Sequence, residues 1–476
     1  MKRIFTLLIL VFTAFSFTKA ADIIVTNFSD NDGDTGNLRD AVANSVSGDV
    51  IKFNIPAGLD ELWLNSNITI SGAGKSLTID GMNMATDKPI MLTSSSGGRI
   101  FSIGTGAGND GLNVIIKNVI IQDVQCTTNG AAFSSGNSAY TAAGAIKVRI
   151  ENCYIKNCIS AIPSTSSSGG GGVYFVSHGS DVTAVNCTFE GNMQQFSDGV
   201  EDGSKSIGGG VFGSTGNNTA KLAIINCTFK DNTSDGRGGA LFLGHPTDII
   251  NCTFVNNTAP RCGGIYFHNA VPFNVVNTIA INNVAKTTAY GDIDRGNGTI
   301  SVTYSMAGVT NLTEANGWGA GNITFLGSET VFKGGTGYAL DDNGGPTPTI
   351  ALASNSVVLN KGTAASGSLD IPTTDQRGAP HLTPPSMGAY DNPDYVFAGV
   401  PTVAKKQALT AWGEGKQIKV YAENPGWATV YGLTGGVLAK VHVDGVNTVA
   451  TVESGIYLVS FEDNAGKTAV AKVVVP

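Results

Sequence analysis

Two arginines and two histidines are the groups best able to grip an anion or move a proton: Arg237, His245, Arg261 and His268. Arg237 and Arg261 stand two and three residues before the last glycine of a recurring Gly-Gly pair. That shared phase predicts that they neighbour each other, either as a saccharide-contacting pair or as two solvated turn residues. Acids are sparse around them. Asp231, Asp235 and Asp248 are scattered, and Asp341-Asp342 belongs to a turn-rich stretch. Glycoside hydrolysis by acid and base needs two carboxylates set across one bond, and no such pair is evident. Arg237, Arg261 and His268 are therefore the candidates for a site, and no catalytic role is assigned.

The seven cysteines offer a second chemistry. Zinc-type spacings are absent, and an odd total leaves at least one thiol unpaired. Cys153, Cys187, Cys227 and Cys252 share one repeat phase, which predicts a ladder of buried thiols behaving as small apolar groups. Asp30-Asn-Asp-Gly-Asp34 has the composition of a calcium loop. It lacks the glycine and distal glutamate spacing of an EF-hand, so it reads as a turn, with calcium the lesser alternative. No other cofactor is expected.

The elements that must hold these residues are set by a repeat. Glu151-Asn-Cys-Tyr-Ile155, Val185-Asn-Cys-Thr-Phe189, Ile225-Asn-Cys-Thr-Phe229 and Ile250-Asn-Cys-Thr-Phe254 nearly superimpose. Weaker copies begin at Lys117 and Val276. The marker asparagines 118, 152, 186, 226, 251 and 277 are separated by 34, 34, 40, 25 and 26 residues. A second motif, a glycine pair before an apolar run, recurs at Gly171, Gly209, Gly238 and Gly263, with a looser copy at Gly144. A period of 25 or 26 suits one coil of a right-handed parallel β-helix, whose stacked strands lie about 4.8 Å apart. Alternation predicts Ile225, Cys227 and Phe229 inside, with Asn226 and Thr228 outside. Asn192, Asn232 and Asn257 each follow a phenylalanine by three residues. They are expected to stack at a corner, where asparagine tolerates left-handed backbone and bonds its own turn.

Composition agrees. There are 62 glycines in 476 residues, charged residues are only 14%, and hydrophobic residues are 42%. That excludes coiled coils, helical bundles and charge-rich disorder. Insertions in a solenoid mark one face. Gaps of 7 residues (Asn232 to Gly239, Asn257 to Gly264) become 18, 14 and 20 in three earlier coils. Loops over about 125–143, 160–170 and 193–208 are thus expected to stack side by side, with Phe133, Tyr140 and Phe196 as apolar contacts.

At the N-terminus, Lys2-Arg3, an apolar run to Phe17 and Thr18-Lys19-Ala20 read as a secretory signal over residues 1–20. The run is too short to span a bilayer comfortably, and no later stretch is apolar enough for a transmembrane helix. Its removal takes three basic residues and no acid, moving the formal charge from −8 to −11. Such a surface repels nucleic acid. After a linker at 391–402, residues 403–476 show short alternating runs (417–421, 427–431, 437–443, 456–461 and 469–475) that predict a small β-sandwich.

Several of these patterns resemble known families. The repeats resemble the pectin-lyase-like right-handed β-helix superfamily. The pairing of Phe229 and Asn232 with Gly238–Leu241 is similar to repeats of chlamydial polymorphic membrane proteins and related adhesins. Asn37-Leu-Arg-Asp-Ala-Val42 and Ser47–Phe53 resemble the segment (about 21–60) that caps such solenoids. Asp341-Asp-Asn-Gly-Gly-Pro-Thr-Pro-Thr349, Thr374-Asp-Gln-Arg-Gly-Ala-Pro380 and Met387-Gly-Ala-Tyr390 resemble the choice-of-anchor Q region, implying that 341–390 closes the C-terminal end over its strand edges. Gly455-Ile-Tyr-Leu-Val459 and Lys472-Val-Val-Val475 are similar to C-terminal sorting domains of type IX secretion in Bacteroidetes, implying an export-machinery partner. Together these imply a secreted or outer-surface, adhesin-like or glycan-binding scaffold without catalysis, its partner an extracellular polysaccharide or surface glycan. The alternative is a polysaccharide lyase or glycoside hydrolase of the same superfamily.

Overall fold

The computed structural model describes residues 20–476 except 32, 60, 95–96, 137–144, 166–170, 215–219, 298, 392–408, 415, 433–434, 465–467 and 476. The proposed signal and most of the linker lie outside the described residues. The chain forms two compact units, 1–397 and 398–476.

The first unit is a parallel β-helix. A coil is well shown by Leu222–Ile225, Thr228–Lys230, Thr233–Ser234 and Leu241–Leu243, each pairing in parallel with its copy in the next coil. Alternation inside this coil is broken, contrary to the simple reading. Cys227 and Phe229 are fully buried, but Ile225 points outward and Ile224 points in. The cause is Asn226, whose φ of 52° bends the chain between two strands, so the inside phase restarts after it. All six marker asparagines have φ of 52–56°, a region where asparagine is favoured among non-glycine residues.

Two asparagine ladders follow from this geometry. In the first, Asn277 Nδ2 donates to Asn251 Oδ1 at 3.0 Å, and the chain of amide bonds continues through Asn226, Asn186 and Asn152 to Asn118. Asn118 donates at 2.8 Å to Asp80 Oδ1. In the second, Asn192 donates to Asn232, Asn232 to Asn257 and Asn257 to Asn283 at 2.8–2.9 Å. Asn283 donates to Asp292 Oδ1 at 2.8 Å. The stacking is as expected, but the left-handed residue is the preceding one: Gly191, Asp231 and Asn256, with φ of 55–63°. Each asparagine of this second ladder spends its Nδ2 on its neighbour and on a backbone carbonyl, as Asn232 does on Phe189 O at 3.1 Å. The core beside the ladders is aromatic: Phe101, Phe133, Tyr174 and Phe212 stack at 5.3–5.6 Å, and Phe189, Phe229 and Phe254 at 4.5–4.9 Å.

Three further differences from the sequence reading stand out. First, the strand copy preceding Tyr174–Val176 is Phe133–Ser135, whereas Ile146–Glu151 belongs to the face of Ser180–Val185. Gly130-Ala131 is thus the true glycine-pair equivalent. The gap from Val124 is the short one, so only two consecutive coils carry insertions at that corner, and Phe133 is core. Second, the end of the solenoid is closed by residues 309–325, with Leu312 in the core, Trp318 packed on it and Ile323–Thr324 pairing with Met306–Ala307. Third, residues 341–391 do not lie across that end. They run back along the outside of the coils, as described below. At the other end the helix Leu38–Asn44, capped by Asn37 accepting from Asp40 N, buries Leu38, Ala41 and Val42 against the first coils.

The second unit is a curled five-stranded antiparallel sheet. The runs at 417–421 and 427–431 form one strand, Gln417–Tyr431, with a register shift between Ala422 and Gly426. No helix of the described residues is long and apolar enough to cross a membrane.

Candidate functional site

Arg237 and Arg261 are direct partners across consecutive coils. Their register depends on Cys262, which takes φ 60° where the neighbouring coil has Gly238 at φ 68°. The next strand presents Tyr266 outward, and both guanidinium groups sit over its ring, at 5.2 Å for Arg237 and 4.9 Å for Arg261. Phe242 stacks on Tyr266 at 5.8 Å, and His268 lies 4.9 Å from Phe242. Arg237, Arg261 and His268 thus converge. His245 stands apart, at the turn after Leu241–Leu243.

Their bonds define what they do. Arg237 Nε donates to Gly203 O at 2.9 Å, Nη2 to Ser204 O at 2.6 Å and Nη1 to the Tyr266 hydroxyl at 3.1 Å. The guanidinium is committed to holding the inserted loop 193–208. That loop extends along the coils: Asp202 N donates to Asp235 O at 2.7 Å, and Glu201 pairs with Lys286. Arg261 pairs through Nε with the buried Asp294 at 2.8 Å, while its side chain keeps about 32% exposure. Burial, then the two arginines, pulls the His268 pKa down. Burial, then His178, holds His245 at about 4. Both imidazoles are neutral at pH 7.

The acids are used locally. Asp231 pairs with Lys230, and Asp235 Oδ2 accepts from Phe196 N at 2.7 Å. Asp248 accepts from Asn274 at 2.7 Å. Asp341 and Asp342 accept from backbone N–H groups of their own turn at 2.9 and 3.1 Å. Asp30 faces Arg39 in a two-pronged pair at 2.8–2.9 Å and accepts from Asn65 N. Among the described residues no three His, Cys, Asp or Glu side chains gather as a metal-holding group. All seven cysteines are buried free thiols. Burial pushes those of Cys153, Cys187 and Cys227 well above their usual range, and a thiol so held is a poor nucleophile and ligand.

The two inserted loops do lie side by side. Ile159–Ile162 pairs with Met193–Phe196, Ser164 bonds Asp198, and Ile162, Phe196 and Ile207 form a small apolar cluster. Tyr140 lies outside the described residues.

The folded-back segment 341–391 reads the repeat from outside. Thr188 Oγ1 donates to Pro348 O and Thr228 Oγ1 to Gln376 Oε1, both at 2.6 Å, and Ala389 N donates to Thr253 Oγ1 at 3.0 Å. The outer asparagines join in: Asn226 donates to Thr374 O at 2.9 Å and Asn277 to Thr363 O at 2.8 Å. Asn226 and Thr228 therefore face out of the coil yet are covered. Within the segment, Arg377 makes a two-pronged pair with the buried Asp375 at 2.7–2.9 Å and lies 3.8 Å over Tyr390. Asp391 accepts from His381 Nδ1 at 2.8 Å and from two backbone N–H groups.

Sequence reasoning did not find one feature. A cleft of about 730 Å³ opens between the last coils and the stretch 325–355, with Phe325, Tyr338 and Tyr390 among its lining residues. Its only sequence signal is Asn282, which shares the left-handed phase of Asn157 and Asn256 and so reads as structural. Compared with known proteins, the chain matches no family model and no curated protein.

Proposed function

We propose that this chain is an exported, surface-associated β-helix scaffold that binds an extracellular polysaccharide or surface glycan and performs no catalysis. The observation that carries the reading is the pinned rim. Loop 193–208 is paired to its neighbour, laid over later coils and anchored by Arg237, and a contact surface ordered before binding spares the cost of ordering it on binding. Arg261, held over the buried Tyr266 ring beside this loop and still about 32% exposed, supplies a cation to a sugar. The likeness to pectin-lyase-like and polymorphic-membrane-protein repeats supports the reading. So do the choice-of-anchor-like motifs, the leader-like residues 1–20 and the sorting-domain-like C-terminus, which also support a secreted or outer-surface location.

The test is a glycan array probed with the full chain and with Arg261→Ala, alongside incubation with a polysaccharide panel. Binding that weakens in the variant, without new reducing or unsaturated ends, is the expected result. Release of such ends by the wild type would overturn the non-catalytic reading.

A further inference from the structure

The cleft near the C-terminal end of the solenoid has no part in the loop rim and, apart from Ile281 and Asn282, is built from residues outside the repeat. Its volume, about 730 Å³, falls within the range of small-molecule sites. Half-buried Phe325 and buried Tyr338 are among the residues that line it. Tyr338 has φ 42°, a left-handed conformation that is costly for an aromatic residue and persists only where the surroundings enforce it. Two contacts do so. The Asn282 amide donates to the Tyr338 hydroxyl, and Phe332 packs edge-on to its ring at 5.4 Å. Such outliers cluster at ligand sites.

The lining chemistry selects a ligand class. The acid of the cleft, Glu329, is already occupied in capping Leu326 N and Ser328 N, and the single base, Lys333, is exposed. The remaining polar groups include the Asn355 amide, the Ser354 hydroxyl and the Asn343 side chain, whose Nδ2 is spent on Asp341 O and Thr349. The half-buried Phe325 ring beside neutral amide and hydroxyl groups suits a ring with a C–H face and several hydroxyls, whereas a polyanion would require more fixed cations. We propose that this cleft binds a short run of neutral saccharide. The ligand class rests on the saccharide-binding reading above, but the site is independent of the loop rim and of Arg261.

The experiment is saturation-transfer NMR on the full chain with maltotetraose, cellotetraose, xylotetraose and mannotetraose, and with tetragalacturonate as the acidic arm. Ser354→Trp places a bulky ring at the exposed mouth without touching the core. A melting curve checks its fold, and Asn355→Ala serves as a milder second variant. At least one neutral tetrasaccharide is expected to bind. Its affinity should fall about tenfold or more in Ser354→Trp, the loss of roughly one main contact, fall less in Asn355→Ala, and stay unchanged in Arg261→Ala. Absence of binding by every neutral probe overturns the proposal, as does binding that survives in Ser354→Trp with its fold intact. Tetragalacturonate binding lost only in Arg261→Ala, with no neutral probe bound, would overturn the cleft while leaving the loop rim standing.

Discussion

The coils and the segment folded back on them solve the same problem in different ways. A coil buries a phenylalanine, a cysteine and an asparagine against near-copies above and below, so each contact is made many times over. Segment 341–391 makes each of its key contacts once, through Asp375, Gln376, Arg377, His381 and Asp391, all of them buried but the half-buried His381. Gln376 alone bonds Thr188, Thr228 and Thr347. Redundancy lets a solenoid tolerate a weak coil. A single polar staple has no such reserve, because a buried charge stripped of its partner is strongly unfavourable.

That contrast can be broken most directly at Arg377. Arg377→Ala leaves Asp375 buried without its counter-charge, and removing one partner of such a pair costs about 3–5 kcal/mol. Hydrogen exchange should show protection lost across 341–391 while the coils from 112 to 300 keep theirs. Uniform loss through both regions would mean that the segment and the solenoid are one cooperative unit. A smaller effect is expected inside the ladder. Asn232→Ala unpairs Asn192 and Asn257 together, at about 2–3 kcal/mol by the cost of buried groups left unsatisfied, read as a shift in denaturant midpoint.

Asp292 sharpens the comparison through pH. Burial raises its carboxyl from 3.8 to about 6, so the folded chain holds a proton that the unfolded chain has released. Stability from this group is complete below about pH 4 and declines as pH rises to about 6. His245 acts in the opposite sense. Its pKa, depressed from 6.5 to about 4, makes stability grow with pH over a nearly matching window. Asp292→Asn should remove the falling contribution and steepen the net rise of melting temperature between pH 4 and 6. At pH 7 it should cost about 1–2 kcal/mol, because an amide nitrogen would face the N–H groups of Gly308 and Val309. The smallest effect is expected on the outer face of the coils. Glu151→Ala removes a half-exposed pair with Arg149 and should change stability by less than about 0.5 kcal/mol in a chemical melt.

Much of the solenoid was readable because its signals repeat: Asn-Cys-Thr marks one corner and a glycine pair the next. The adjacency of Arg237 and Arg261 followed from phase alone. Their task did not, since Gly203 and Ser204 offer backbone carbonyls that no side-chain pattern announces. The inside-outside assignment failed at Ile225 because a single left-handed residue resets alternation, and period-two reasoning cannot see a corner. The course of 341–391 was hidden for a different reason. Thr228 and Gln376 are 148 residues apart, and their bond depends on the path between them. The cleft was invisible because Phe325 and Tyr338 belong to no repeat.

The two amide ladders also carry a polarity. One donates toward Asp80 and the other toward Asp292, and each ends on a carboxylate with no hydrogen left to pass on. A coil duplicated between Asn192 and Asn257 would simply extend both rows. A coil added beyond either aspartate would meet an acceptor where it needs a donor. In such a lineage length can change only from within, and Asp80 and Asp292 are the fixed bookends between which this solenoid grows or shrinks.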